Sequence, residues 1–122
     1  MKTRTWVGRV LSALPVLVLL MSATMKFVRP TGFDDGLAHM GLPASLVAGL
    51  GVLEILCTVI YLVPRTAVLG AILLAGYLGG AIAIHIRVGD PFLVQFVLGV
   101  MLWGGLYLRD ARLQAFIPLV RD

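Results

Sequence analysis

The residues of this chain best able to do chemistry are few, and they sit in apolar company. Glu54 is the one charged side chain in an uncharged run from about Ala44 to Val63. A carboxylate near the middle of such a run is costly in hydrocarbon unless it is paired or protonated. Lys26, closing the preceding apolar run, is the ammonium near enough to partner it, given the reach of its flexible stem. Tyr77, Ala81 and His85 recur every four residues on a third run, and Gln95 opens a fourth. A carboxyl, an ammonium, a phenol, an imidazole and an amide around an apolar space can hydrogen-bond a carbonyl oxygen and carry protons. A second role is open for each. Glu54 can glue helices together as an ion pair, or as a neutral acid bonded to Thr58 or Ser22. Lys26 can snorkel to lipid head groups, and His85 can be satisfied by water or a loop carbonyl.

Other chemistries find no residues. There is no Ser-His-Asp set, Gly-rich phosphate loop or HExxH motif. Cys57 is the sole cysteine, so no intrachain disulfide forms. His39 beside Met40 is a weak metal pair, and His39 with His85 cannot make a bis-histidine haem site between two helices, so no metal site is expected and no cofactor site is evident.

The elements that must position these groups are membrane spans. The chain has 122 residues, of which 60% are hydrophobic and 13% charged, and its mean hydropathy is +1.01. At about 20 residues per span, about four spans leave no room for a second domain. The expected fold is all-α: an integral-membrane four-helix antiparallel bundle forming a single transmembrane domain over residues 1–122, with spans near 6–27, 44–63, 66–86 and 92–108. The basic start and apolar run at the N-terminus also fit a cleaved signal peptide, but Met21 to Lys26 lacks a clean small-x-small site and retention is expected. In the first connector Phe33, Leu37 and Met40 recur at helical spacing after Asp34 and Asp35, which predicts a short interfacial helix. At the other end Leu113, Phe116, Ile117 and Val120 share one helical face, which predicts a surface-lying tail.

Each span carries one polar or small-residue stripe that can turn inward. These are Ser12, Pro15, Leu19, Ser22 and Lys26; then Gly51, Glu54, Thr58 and Tyr61; then Gly70, Tyr77, Ala81 and His85; then Gln95, Gly99 and Trp103. Tyr61, Tyr107, Trp6 and Trp103 read as packing or interfacial aromatics. Gly76 and Gly80 offer a smooth surface for close helix approach, within the bundle or between copies. Arg87 can pair with Asp90 across the third turn. The net charge of +4 has no basic cluster suited to nucleic acid. Lys2, Arg4, Arg9, Arg65, Arg109, Arg112 and Arg121 fall on one side of the spans, and only Lys26, Arg29 and Arg87 on the other. Both termini are therefore expected in the cytoplasm.

Short motifs in order along the chain resemble the DoxX-like family of four-helix bacterial membrane proteins. They are Ser22-Ala23-Thr24-Met25-Lys26, Gly41-Leu42-Pro43, Gly51-Val52-Leu53-Glu54, Pro64-Arg65, Gly76-Tyr77-Leu78-Gly79-Gly80-Ala81, His85 and Arg87-Val88-Gly89. Thr24 stands where Gly is frequent. The resemblance implies a multi-pass protein of the bacterial plasma (inner) membrane, with relatives in quinone-linked and other membrane oxidoreductase assemblies. It implies Lys26, Glu54 and His85 as cavity residues and assigns none a catalytic role. Two functions follow as expectations. In one, a redox-linked component binds a quinone between its helices and takes electrons from a partner oxidoreductase. In the other, a non-enzymatic subunit stabilises a membrane complex or a homo-oligomer. A small transporter is disfavoured by the lack of an inverted repeat.

Overall fold

A computed structural model describes residues 2–120, with side chains from Thr3 onward. Arg121 and Asp122, which end the expected tail, lie outside the described residues, as does the Lys2 side chain counted above. No strand occurs among the described residues. The helices are α1 (Lys2–Val28), α2 (Phe33–Met40), α3 (Val47–Leu62), α4 (Ala67–Arg87), α5 (Leu93–Arg109) and the single turn α6 (Ala111–Gln114). Short 3₁₀ turns at Ala44–Leu46 and Pro64–Thr66 lead into α3 and α4.

The helix ends follow local chemistry. Pro64, which lacks an N–H and disfavours helix at the residue before it, stops α3, and Thr66 Oγ1 donates to the freed Ile60 carbonyl at 2.8 Å. Left-handed glycines bracket α2: Gly32 (φ 87°) precedes it and Gly41 (φ 73°) ends it. At the C-terminal end of α2, Gly41 N–H donates to Ala38 O and Leu42 N–H to Leu37 O, so the last carbonyls are satisfied. Asp34 and Asp35 sit in the first turn of α2, where the helix dipole favours negative charge.

The four long helices form a ring in the order α1, α3, α4, α5, each packed against two neighbours and antiparallel to the next in sequence. Three of them are long and apolar enough to cross a membrane, and α5 is a shorter apolar helix of 17 residues. Leu17, Leu56, Ile72 and Val100, one from each helix, are 55–63% exposed on the outer surface. An apolar exterior over an apolar core of Leu19, Leu74, Leu102 and Leu106 is the pattern of a bundle whose solvent is lipid.

Three local expectations are corrected. The tail is not one amphipathic helix: α6 ends at Gln114, Leu113 alone of the expected face is buried, and Phe116, Ile117 and Val120 follow outside any helix. Pro118 explains this, since it cannot donate to a helix and biases Ile117 away from helical geometry. Gly76 and Gly80 make no close helix approach within the bundle, because an added Cβ at either would meet nothing within 4 Å. Close approach belongs instead to Gly8 against Gly105, where a Cβ on Gly8 would come to 2.7 Å from Gly105 O, and to Gly70, seated on the Tyr61 backbone. Nor does Arg87 pair with Asp90. Arg87 Nη2 donates to the Met40 carbonyl, while Asp90 Oδ1 lies 3.0 Å from His39 Nε2. Gly89 (φ 77°) turns the chain so that Asp90 faces α2 rather than the arginine beside it in sequence.

Candidate functional site

Lys26, Glu54, Tyr77, His85 and Gln95 all line one cavity of about 610 Å³ in the half of the bundle that holds the first connector. The register of the four long helices brings them there, Lys26 from the last turn of α1. On α3, Glu54 shares the buried face with Gly51, Thr58 and Tyr61. Gly51 lies against the Phe27 ring and the Lys26 stem, so the absent side chain lets the end of α1 approach α3. Tyr77 and His85 follow from α4, and Gln95 from the first turn of α5. Connector helix α2 covers the cavity with Phe33, Leu37 and Met40.

Two polar clusters interrupt the apolar wall. In the first, Lys26 Nζ lies 2.9 Å from Glu54 Oε1, and it donates to Ser22 Oγ at 2.9 Å. Ser22 Oγ also lies 3.4 Å from Glu54 Oε1. The Glu54 side chain is 2% exposed and that of Lys26 17%, so the two charges compensate each other away from water. An ammonium has three donors, and two are used here; Nζ also lies 6.0 Å from the centre of the Tyr77 ring. Thr58 donates to the Glu54 main-chain carbonyl at 2.7 Å rather than to its carboxylate.

The second cluster joins α4 to α5. His85 Nδ1 donates to Ala81 O at 2.7 Å, which leaves Nε2 facing Gln95. The Gln95 amide nitrogen donates to that Nε2 at 3.3 Å. Gln95 Oε1 is buried with no partner, the one such side-chain atom among the described residues. A buried acceptor without a donor is costly. Gly99 and Trp103, expected on the same inward stripe as Gln95, line instead a shallow apolar groove between α4 and α5.

A third polar set, at the other end of the bundle, is not visible in the sequence reading. Arg109 Nε donates to Ser12 Oγ at 3.0 Å, Ser12 and the Tyr61 hydroxyl are 2.9 Å apart, and Tyr61 donates to Leu102 O at 2.6 Å. The donors run one way, from guanidinium through hydroxyl and phenol to the carbonyl. Arg109 Cζ lies 5.3 Å from the centre of the Tyr61 ring. Tyr61 is fully buried, so the phenol read as a packing or interfacial aromatic is the hub of α1, α3 and α5. Ser12 and Tyr61 stand on the polar stripes named above, and that was the available signal.

No group of three or more His, Cys, Asp or Glu able to hold a metal occurs among the described residues. The arrangement defines a multi-pass membrane bundle with a mostly apolar cavity that a buried ion pair borders. Residues 10–105 match the profile of the DoxX-like family, and the chain belongs to that family. No curated protein and no solved structure matches it significantly.

Proposed function

We propose that the protein is a redox-linked component of the bacterial plasma membrane that binds a quinone, or a similar small apolar ligand, in the cavity beneath α2. The observation that carries this reading is the Lys26 ammonium, held by Glu54 and Ser22 at the wall of a cavity of about 610 Å³, with a third N–H that neither of these two bonds uses. Small-molecule sites are typically apolar, about 300–1,000 Å³, with a few convergent polar groups. A quinone suits such a site: a flat apolar ring with carbonyl oxygens that accept hydrogen bonds. Lys26 would donate to one oxygen, with Tyr77 beside it, and His85 and Gln95 supply polar contacts from across the cavity. Reduction of a quinone takes two electrons and two protons. The electrons would come from a partner oxidoreductase and the protons from water, relayed to the ring by the Lys26 ammonium, which the Glu54 carboxylate holds in its charged form.

The charge distribution supports an orientation for this reading. Arg4, Arg9, Arg65, Arg109 and Arg112 gather at the end of the bundle that carries the termini and the α3–α4 link, opposite Lys26, Arg29 and Arg87. With positive residues retained inside, both termini are cytoplasmic and the cavity lies in the outer half. The Lys26–Glu54 bond, which fastens α1 to α3, favours a second reading in which the pair is structural and the chain stabilises a larger assembly or a homo-oligomer.

Native mass spectrometry of the protein gently extracted from its own membrane, with analysis of co-purified lipids, separates the two. A stoichiometric quinone lost in Glu54→Gln supports binding. Ordinary phospholipid alone, with no rise in thermal stability when a quinone analogue is added, favours the assembly role; at 100 times Kd a true ligand adds about 2.7 kcal/mol.

A further inference from the structure

The cavity is closed toward the connector end of the bundle and open toward its side. At the connector end α2 lies across it, tied to the α4–α5 turn by His39 with Asp90 and by Arg87 with the Met40 carbonyl. At the side the wall thins between α3 and α4. Gly76 and Gly80 line the cavity, yet at 100° per residue they stand about 160° and about 120° around α4 from the fully buried Leu74. On α3, Leu53 is also a lining residue, about 100° around from Glu54. Leu53 is 47% exposed. A cavity lined by residues turned this far from the core reaches the outer surface of the bundle, and that surface faces lipid. Both glycines are exposed, and the space a Cβ would take at either is empty to 4 Å. They leave a gap rather than a helix contact.

We infer that this gap is a lateral portal, and that the cavity takes a ligand dissolved in the bilayer: a compact polar head on a long hydrocarbon or isoprenoid tail, with the tail left in the gap. The inference rests on the ligand-binding reading above and narrows its ligand class. The head lies beside Lys26 and Glu54, where its oxygens find a donor. The tail passes from lipid to a lipid-facing gap and so loses none of its apolar transfer free energy. Entry from the aqueous side would instead require α2 to leave its two ties.

The test uses the full chain in lipid nanodiscs and two probes, 2,3-dimethoxy-5-methyl-1,4-benzoquinone and the same head carrying a decyl tail. Binding of each is titrated to wild type, Gly76→Leu and Gly80→Leu, with Gly76→Ala and Gly80→Ala as smaller fillings and with melting of the unliganded proteins measured alongside. The expected result is a loss of at least about tenfold in affinity for the tailed probe in the leucine variants. A partial loss is expected in the alanine variants, and no more than about a twofold change for the tailless probe. Should a leucine variant fail to assemble, its alanine counterpart still gives the graded loss. Equal loss for both probes, or unchanged binding of the tailed one, overturns the portal. So does dissociation of a dimer by Gly76→Leu in native mass spectrometry, which would mean that a second copy covers the glycines. If wild type binds neither probe, the ligand-binding reading itself fails, and that is seen before any variant is compared.

Discussion

Replacing Glu54 by Gln keeps the shape of the side chain and removes its charge, leaving the Lys26 ammonium beside a neutral amide. The pair is 2.9 Å apart with side chains 17% and 2% exposed. Removing one partner of a buried pair costs about 3–5 kcal/mol, because the other charge is stranded. Lys26 retains some exposure and a flexible stem that can turn its head toward water, so Glu54→Gln should cost about 3 kcal/mol, the low end of that range. Lys26→Met strands the more deeply buried carboxylate, which must take up a proton or stay uncompensated, and should cost about 4 kcal/mol. The double variant removes both charges and should cost less than the sum, with a coupling energy of about 2 kcal/mol. Equilibrium unfolding in mixed micelles, followed by helical circular dichroism across the four proteins of the cycle, measures each quantity. A Glu54→Gln protein within about 0.5 kcal/mol of wild type, with no coupling to Lys26, would refute the charged pair and leave a neutral acid in its place.

Tyr61→Phe removes the hub that accepts from Ser12 and donates to Leu102 O, and should cost about 1–3 kcal/mol for buried groups left unpaired; the same unfolding assay reads it. Gly70→Ala would press a methyl onto the Tyr61 backbone, which cannot move aside as a side chain could, so loss of the protease-resistant bundle is expected. Asp110 accepts from the Arg112 side chain and main chain, and this holds its carboxyl below the usual range. A carboxyl depressed in the folded state contributes fully above its unfolded pKa of about 3.9, and the contribution fades as pH falls through the lower folded value. Asp110→Asn should therefore loosen α6 at neutral pH, and the difference from wild type should vanish in strong acid, as read from proteolysis of the tail by an acid-active and a neutral protease.

The spans were legible because hydropathy over 20-residue windows is a strong signal, and Pro64, Gly41 and Gly89 mark where the chain must turn. Lys26 and Glu54 were legible for a related reason, since charges inside a span are rare and need partners. The Arg109, Ser12 and Tyr61 chain was not, because its bonds link residues 97 and 49 apart in sequence and depend on which helices are neighbours in the ring. Small residues were ambiguous in kind. Spacing does not tell a glycine that admits another backbone from one that leaves an opening, so Gly76 and Gly80 read like Gly8 and Gly105 until their surroundings are seen. In the tail, helical periodicity and Pro118 point opposite ways, and the proline prevails because it cannot donate to a helix.

The first helix is fastened twice, to α3 at one end through Lys26 and Glu54 and to α5 at the other through Ser12, Arg109 and the Gly8–Gly105 contact. This has a consequence for biogenesis. A chain made from its N-terminus delivers α1 to the membrane first and α5 after the other long helices. Ser12 finds Tyr61 once α3 is in place, but the Tyr61 hydroxyl must wait for the Leu102 carbonyl, and Gly8 for Gly105 with a bare stretch of backbone facing lipid, until the last long helix arrives. Ring closure is a post-insertion step here, and a nascent chain stalled before α5 displays the unsatisfied polar surface by which a membrane quality-control protease could recognise an unfinished protein.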